Sequence, residues 1–383
     1  MKITFRKNVL LDGLYPAMST VSTRNTISSI EGVLIETMEG NTVRLSTYDM
    51  NKGIRILIEA EEIAEEGSYI INAQRLLQIV KVMTDELVTI EVDARYNARV
   101  SSGKSQFSLF ALKGTDFPSL PELKGDRGFA IKSNLLKKGI NKILHSVAEN
   151  DTRPMLCGAN FKIGEGKIEL VSCDSYTLSK YTLYGEIEDI GDESAMEASF
   201  IVPGHALNEL IRLLPDGEDN ITEFYMTRKH CIIEIDNMVF FTRMIDGDYI
   251  DYKRILPKEQ TIFVKINREE FLRSLERATL VADEKIQGSG RSHVKLTIDG
   301  NVMTVTSNSV NGNVYDEIEC THEGDALEIG FNCRFLINSV RAAEGEELSI
   351  TMKSPSQSIT IEPTEKNEQN DFYYMVLPVR MNG

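Results

Sequence analysis

The chain repeats one short plan three times, an alternating strand followed by an amphipathic helix. In the segment FAIKSNLLKKGINKILH (129–145), Phe129 and Ile131 alternate with polar residues, and the apolar residues after them recur at helical spacing. The same plan begins at Ile3 and at Phe263. The apolar pairs near the start of the three helices lie about 130 residues apart, which is the size of one domain. These pairs are Val9-Leu10, Leu135-Leu136 and Phe271-Leu272. The sequence therefore predicts three copies of one fold.

Each repeat continues beyond its first helix in the same order. Alternating segments predict two strands, a second helix and a further group of strands. The predicted second helices begin near Ala73, Gly204 and Cys333, and the acidic stretches 59–66 and 186–197 are interpreted as solvated loops. We therefore expect an α+β fold of three repeated domains, each with two helices packed on antiparallel sheets. The predicted domains are residues 1–126, 127–257 and 258–383.

The overall charge limits how the chain can meet nucleic acid. The formal net charge is −16, so the surface as a whole repels DNA, although the cations can still gather on one surface. No apolar run approaches the length of a membrane span and the N-terminus does not resemble a signal peptide, so we expect a cytosolic protein. The 5 cysteines are odd in number and never spaced as C-x-x-C, which disfavours a disulfide framework or a zinc ribbon.

The sequence offers little that points to catalysis. Asp246, Asp248 and Asp251 form the pattern D-x-D-x-x-D, which suits a hard metal ion, but a polar turn at the end of a domain is the better interpretation. Neither a G-x-S-x-G nucleophile elbow nor a cysteine with a plausible histidine partner is present. We expect no enzyme, no cofactor and no metal site. A hydrolase that uses the three aspartates with a divalent metal is the distant alternative.

Basic residues are concentrated on the predicted helices. Lys138 and Lys142 lie four residues apart on the polar face of one first helix, and Arg273 and Arg277 repeat this spacing in the third repeat. Other cations fall on or near the helices at Lys7, Arg75, Lys81, Arg212, Arg334 and Arg341. On any one helix, ordinary exposure to solvent also explains them. If all the helices face one side, the cations form a positive surface suited to phosphate contacts without sequence preference.

The whole chain resembles the family of bacterial DNA polymerase III β subunits, the replicative sliding clamps. The resemblance is carried by SQFSLFALKGTDFPSL (105–120), IDGDYIDYKRILP (245–257), EIGFN (328–332) and YMVLPVR (374–380). It implies a head-to-tail homodimer whose six domains close into a ring, with helices lining the hole and sheets forming the outer wall. Such a ring encircles double-stranded DNA without sequence preference. It confers processivity on the replicative polymerase, without catalysis or a cofactor of its own.

The resemblance also implies a hydrophobic pocket between the second and third domains that binds short peptides. The implied partners are the replicative polymerase α subunit, the clamp loader, and other polymerases and repair proteins that carry a clamp-binding peptide. Matched position by position, the pocket is formed by Arg153, Leu156, Cys173, Ser175, Tyr176, Thr177, Leu178, Ile250, Arg254, Ile255, Phe335, Ser358, Met375, Val376, Leu377, Pro378, Val379 and Arg380. An apolar groove with polar rims suits a peptide anchored by leucine or phenylalanine side chains.

Two departures from the family pattern bear on the peptide preference of this pocket. Ser175, Tyr176 and Thr177 stand where the family commonly has Gly-His-Arg. Ile250 stands where a proline is usual. The departures leave the preferred peptide open, and the pocket itself is still expected.

The same matching implies residues that contact DNA and residues that join the two subunits. The implied DNA-facing residues are Arg24, Arg75, Lys138, Lys142, Asn150, Arg212, Arg273, Arg277 and Arg334. The residues implied at the dimer interface, where the first and last named form an ion pair, are Arg75, Phe107, Leu109, Leu280, Val281 and Glu317. The alternative is an acidic three-domain adaptor that uses the peptide groove without encircling DNA and has no need to close a ring.

Overall fold

The computed structural model describes most of the chain. The described residues are 1–22, 27–123, 125, 128–185, 187–191, 197–282, 293–309, 312–365 and 367–381. Arg24, which is expected to face DNA, lies outside them. Within the described part of the chain, no helix is both long and apolar enough to cross a membrane.

The helices and strands follow one order in the three repeats, except that the described part of the third has four strands between its helices and the other two have five. The first repeat comprises β1 (Lys2–Arg6), α1 (Lys7–Ala17), β2 (Gly32–Thr37), β3 (Thr42–Tyr48), β4 (Lys52–Glu59), β5 (Glu62–Glu65), β6 (Ser68–Asn72), α2 (Ala73–Val82), β7 (Leu87–Val92), β8 (Asn97–Ser102) and β9 (Ser105–Lys113). The second comprises β10 (Gly128–Lys132), α3 (Ser133–Ile143), β11 (Gly158–Gly164), β12 (Lys167–Cys173), β13 (Thr177–Tyr184), β14 (Ile187–Ile190), β15 (Ala198–Pro203), α4 (Gly204–Leu213), β16 (Ile221–Met226), β17 (His230–Ile235) and β18 (Met238–Arg243). The third comprises β19 (Ile262–Asn267), α5 (Arg268–Ala282), β20 (Val294–Asp299), β21 (Val302–Asn308), β22 (Asn313–Glu323), β23 (Leu327–Phe331), α6 (Cys333–Ala342), β24 (Glu347–Met352), β25 (Ile359–Pro363) and β26 (Asn370–Val376). The predicted fold class is confirmed.

Two of the second helices, α2 and α6, begin directly after an asparagine that caps them. The Asn72 side chain accepts a hydrogen bond from the backbone N–H of Arg75 at 3.0 Å, and this contact satisfies an N–H that has no partner within α2. Asn332 caps α6 in the same way, on the N–H of Arg334 at 3.1 Å. Each helix then buries its apolar stripe, as Leu76 does in α2.

Two acidic stretches interpreted as loops contain strands, so that prediction was wrong. Residues 62–65 form β5, which pairs antiparallel with β1, and residues 187–190 form β14. Most side chains of β5 are exposed, so the residues show no alternation of apolar and polar character that would indicate a strand. The first repeat has five strands between its helices, β2 to β6, where two were predicted for each repeat.

The described residues group into two compact units. The first consists of residues 1–133, 188–193 and 212–244, and the second of residues 134–187, 194–211 and 245–383. The first unit contains a 14-stranded sheet and the second a 12-stranded sheet. The domain boundaries expected from the sequence follow the repeats instead, and they stay a prediction.

In both units one strand pair joins consecutive repeats. In the first unit β18 of the second repeat pairs antiparallel with β4 of the first, with Met238 opposite Ile56. In the second unit β26 of the third repeat pairs antiparallel with β13 of the second, with Met375 opposite Leu178. The last strand of a repeat therefore extends the sheet of the repeat before it.

The two strands that would make a third such pair each keep an open edge. β9 pairs with β8 over residues 105–110 and with β6 only over residues 111–113. β22 pairs with β21 over residues 313–319 and with β19 over residues 320–323. Among the strands that the structure describes, none covers the second edge of residues 105–110 or of residues 313–319.

The connector after β9 packs back onto the sheet of the first unit. Phe117 lies in an apolar cluster with Leu34, Ile70 and Phe241, and Leu120 packs against the same cluster. The apolar side chains of this connector therefore hold it against the sheet.

Candidate peptide groove and basic helix faces

A buried apolar cluster lies at the strand pair that joins the second and third repeats. Its buried members are Leu156, Val171, Cys173, Leu178, Tyr252 and Met375. Partly buried residues that pack against it are Ala148, Met155, Tyr249, Ile250, Leu256 and Tyr373. Five residues predicted for the peptide pocket thus meet in one place: Leu156, Cys173, Leu178, Ile250 and Met375. The two tyrosines from the connector after β18 were not predicted, because only their packing reveals them.

The predicted pocket residues separate into a buried floor and an exposed rim. Leu178 and Met375 belong to the floor, since they are buried in the core of the unit. Tyr176, Ile255 and Leu377 form the rim, and Tyr176 keeps 59% of its surface exposed. The side chains of the rim are therefore accessible to solvent, whereas those of the floor are not.

A tight turn presents Tyr176 at this rim. The carboxylate of Asp174 accepts hydrogen bonds from the backbone N–H groups of Tyr176 and Thr177 at 2.9 and 2.6 Å, and from the Thr177 hydroxyl at 3.0 Å. Ser175 has a φ of 78°, in the left-handed region that favours glycine. The Asp174 carboxylate therefore holds a backbone conformation that costs free energy at Ser175.

Tyr176 stacks on Phe335 of α6. The ring centroids lie 5.6 Å apart and the planes meet at 22°. The backbone N–H of Leu377 donates to the carbonyl of Tyr176 at 2.9 Å. The stack therefore joins the turn that carries Tyr176, in the second repeat, to α6 of the third. Tyr176 is one of the residues at which the sequence departs from the family pattern.

Two arginines of the predicted pocket are held by neighbouring carboxylates. Arg153 binds both oxygens of Asp151 at 3.0 Å and also donates to the Ser175 hydroxyl. The hydrogen bond from Arg153 lowers the pKa of the Asp151 carboxyl. Arg254 pairs with Asp251 at 2.8 Å. Both guanidinium groups are therefore placed at the surface with part of their charge already balanced.

The remaining predicted residues lie along the last strand and the tail after it. Val376 pairs with Ile359 of β25, and Ser358, which directly precedes β25, is buried. The N–H of Val379 donates to the carbonyl of Gly330 at 2.8 Å, which fastens the tail against β23. Pro378 and Arg380, the latter exposed, flank that contact.

The titratable groups near the groove do not form a catalytic arrangement. Burial raises the pKa of the Cys173 thiol, so it stays protonated at neutral pH. Burial lowers the pKa of His145 to about 4, and its Nε2 lies 3.1 Å from the Ser179 hydroxyl. Across the described ranges, no group of three His, Cys, Asp or Glu side chains could hold a metal ion.

The basic residues predicted to face DNA are joined to carboxylates on two helices. Lys138 and Lys142 of α3 each bind one oxygen of Glu344 at 2.9 Å. Arg277 and Arg273 of α5 pair with acidic residues as well, Asp316 and Glu269 respectively. These partners were not predicted. Glu344 and Asp316 have no sequence signal, because they are distant in the chain from the cations they bind.

The other predicted DNA-facing residues are placed at helix ends or loops. Arg75 lies in the first turn of α2, is exposed, and its side chain binds none of the residues that the structure describes. Asn150 is exposed in the segment after α3, Arg212 lies in the last turn of α4, and Arg334 lies in the first turn of α6. Lys7, by contrast, donates to the carbonyls of Met83 and Lys81 at the end of α2.

The residues predicted at the dimer interface include large apolar side chains in contact with water. Leu280 on α5 is 81% exposed, and Phe107 on β9 is also exposed. Leu109 and Val281 are half-buried, and the Tyr315 hydroxyl donates to Glu317 on β22. Phe110, which was not predicted, is more exposed than any of these.

Comparisons with known proteins place the whole chain in one family. Models of the DNA polymerase III beta subunit match in order along it: the N-terminal domain over residues 1–121, the central domain over 130–251 and the C-terminal domain over 253–380. The beta sliding clamp of Bacillus subtilis is 28% identical over 391 residues, covering 99% of this chain and 100% of that protein. That of Staphylococcus epidermidis is 26% identical over 389 residues, covering 99% of each.

The fold agrees with this placement. The crystal structure of the DNA polymerase sliding clamp from Bacillus subtilis superposes with a TM-score of 0.90 at 27% identity, over 100% of both chains. The three domain matches, the full-length relatives and the shared fold agree in extent and order. The chain therefore belongs to the DNA polymerase III beta subunit family.

Proposed function

We propose that this protein is a DNA sliding clamp that closes into a dimeric ring around duplex DNA and tethers polymerases to it. The sliding-clamp role follows from family membership over the full length, and it is a processivity role without catalysis. The observation that supports ring closure is the pair of open strand edges on β9 and β22. Since the third joint of the repeat pattern has no partner among the strands that the structure describes, a second copy would supply it.

Equivalent positions give the expected register of this joint. The two-residue turns at 103–104 and 236–237 align Ser105 of β9 with Met238 of β18. The pairs Tyr48 with Gly53 and Asn308 with Asn313 align β4 with β22. The known pairing of β18 with β4 then places Phe107 opposite Val314 of the partner subunit. Two such joints related by twofold symmetry would close a ring of six repeats.

Exposed apolar side chains support the same joint. Leu280 and Phe107 contact water in the single chain, and a dimer would bury them. An open strand edge is also prone to uncontrolled pairing unless a specific partner covers it. A rim ion pair between Arg75 and Glu317 would add little, on the order of 0–1 kcal/mol, so apolar contact and strand pairing would supply most of the stability.

The acidic surface and the basic helices suit a protein that slides on DNA. The net charge of −16 keeps DNA from most of the surface, and the cations on the helices are the residues that would face it. Contacts of this kind go to phosphates and carry no sequence information. The ring would therefore hold DNA by enclosure rather than by affinity.

The groove between the second and third repeats is the proposed attachment site for partners. Its apolar floor and its rim of Tyr176, Ile255 and Leu377 suit a short peptide with leucine or phenylalanine anchors. The partners proposed are the replicative polymerase α subunit, the clamp loader, and other polymerases and repair proteins. The cytosolic location expected from the sequence stays a prediction.

Retention on circular DNA tests the clamp function. The protein would be loaded on nicked circular plasmid by the clamp loader of the same genome with ATP, and then passed over a gel-filtration column. We expect co-elution with circular DNA and release when a restriction enzyme linearises the plasmid, because a ring slides off an end. If the protein stays on the plasmid after linearisation, DNA is not enclosed by a ring, and direct binding to its surface is favoured.

A further inference from the structure

The ion pairs of α3 connect two repeats through a single carboxylate. Glu344 lies just after α6 in the third repeat, whereas Lys138 and Lys142 belong to the second. One carboxylate oxygen binds each lysine, and Lys142 also donates to the carbonyl of Ala342 at 2.6 Å, 200 residues away in sequence. Both lysines are among the residues expected to face DNA. Their charge is therefore directed at a protein carboxylate in the structure without DNA.

The pairing is partly shielded from water, so it is more than a loose surface contact. The side chain of Lys142 is 16% exposed and that of Lys138 39% exposed. Burial raises the pKa of Glu344, but the hydrogen bonds and charges of Lys142 and Lys138 lower it further, and the net result lies below the ordinary value. Glu344 is therefore ionised at neutral pH and neutralises one of the two positive charges.

A phosphate oxygen and a carboxylate oxygen are acceptors of the same class for an ammonium group. A lysine that leaves Glu344 for a DNA phosphate exchanges one charge-assisted hydrogen bond for another. It also leaves behind a half-buried carboxylate with one partner fewer, which costs free energy. The gain in affinity from each phosphate contact is reduced by that cost.

We propose that Glu344 is a positioning residue that competes with DNA phosphates for Lys138 and Lys142 and thereby keeps the clamp's grip on DNA weak. The inference rests on the proposed sliding-clamp function, because it assumes that α3 meets DNA. On this account the two lysines are withheld from DNA in the wild-type protein. The resulting low affinity favours sliding over static binding.

The salt dependence of DNA affinity distinguishes withheld from available lysines. The slope of log K against log salt steepens by about 0.9 for each phosphate that a cation neutralises on duplex DNA. Glu344→Gln removes the competing charge, so the slope should steepen by about 1.8 per chain if both lysines engage. Over the two chains of a ring the slope steepens by about 3.6, so the affinity advantage of the variant should fall about 150-fold between about 50 and 200 mM salt.

The measurement is fluorescence anisotropy of a labelled linear duplex, onto whose free ends a ring can thread. Glu346→Gln is the matched control, since Glu346 lines the same surface cavity as Glu344 and its side chain pairs with no described residue. It removes one negative charge without touching the lysines. Thermal unfolding of each variant checks that the repeats stay folded.

If Glu344→Gln is unstable, a variant that keeps Glu344 still tests the proposal. Lys138→Gln, at the more exposed of the two lysines, should leave the salt slope unchanged because Lys138 is already withheld. A slope that becomes shallower by about 0.9 per chain, or about 1.8 for the ring, would overturn the proposal. Equal salt slopes for Glu344→Gln and Glu346→Gln would also overturn it, because Glu344 would then only join the two repeats. Loss of the clamp function shows separately, as a wild-type protein that is not retained on circular DNA.

Discussion

Replacing Leu280 with aspartate should break the proposed subunit joint while each chain stays folded. Leu280 lies on α5 with 81% of its surface exposed, so in a single chain the new carboxylate meets water and costs little. In the joint the same carboxylate would be buried without a partner. The substitution therefore separates assembly from folding.

The size of the effect follows from the exposed area that the joint would cover. Full burial of a leucine side chain contributes about 1.5–3 kcal/mol, so covering most of Leu280 contributes roughly 1–2.5 kcal/mol per joint. A ring has two joints, and both must open for the subunits to separate, which gives about 2–5 kcal/mol. Since 1.4 kcal/mol is a tenfold change, the dimer Kd should rise by at least about thirtyfold. Desolvation of the buried aspartate adds to this.

Sedimentation velocity over a concentration series measures the dimer Kd directly. The matched control is Leu57→Asp, which places the same change at a position on β4 that is 46% exposed. Both edges of β4 are already paired, with β3 and β18, so this position lies outside the proposed joint. The reasoning is refuted if Leu280→Asp keeps the wild-type Kd, or if both variants weaken the dimer equally while their thermal unfolding is unchanged.

Three further predictions concern the groove and the α3 ion pairs. Tyr176→Ala should weaken binding of a labelled polymerase peptide about tenfold, because an exposed aromatic anchor is lost, and should lower stability by about 0.5–1.5 kcal/mol, because its stack on Phe335 is lost; unchanged anisotropy titrations would contradict it. Ser175→Gly should raise the free energy of unfolding by about 1 kcal/mol, since φ is 78° there; calorimetry showing equal or lower stability would disprove it. Ionised Glu344 contributes stability above its ordinary pKa of 4.5, and this contribution is lost as the pH falls through the lower pKa of the folded state. The free energies of unfolding of wild type and Glu344→Gln, measured by urea titration, should therefore converge in acid; a constant difference would exclude this.

The repeat, the element order and most strand positions could be predicted from the sequence because they rest on local patterns. Alternation in LVTIEV (87–92) predicts β7, and the apolar stripe predicts α2, close to where the structure has them. β5 and β14 were missed because the free energy of an edge strand comes from backbone pairing, and their exposed polar side chains carry no alternating pattern.

The proposed groove was predicted as a set of positions, and the structure separates these positions by their burial. Leu178 and Met375 were expected as walls, yet they are buried in the core. Truncating Leu178 to alanine would cost about 2–5 kcal/mol of stability, so a loss of peptide binding there would not identify a contact. The exposed rim residues are better probes, because they can change without disturbing the core.

Long-range ion pairs lie beyond what the sequence can predict. Cation spacing on α3 indicates a basic helix face, but nothing in the residues around Glu344 marks it as the partner of Lys138 and Lys142. The stack of Tyr176 on Phe335 has the same origin, since it depends on how two repeats meet. Such contacts follow from tertiary packing and not from local propensity.

Negative-stain electron microscopy of the purified protein, without DNA or partners, tests ring closure most directly. The account predicts closed rings with a central hole and a pseudo-sixfold outline, made of two copies of the three-repeat chain. Compact or elongated particles without a hole, at concentrations where the dimer persists, would leave the three-repeat fold intact and contradict enclosure of DNA.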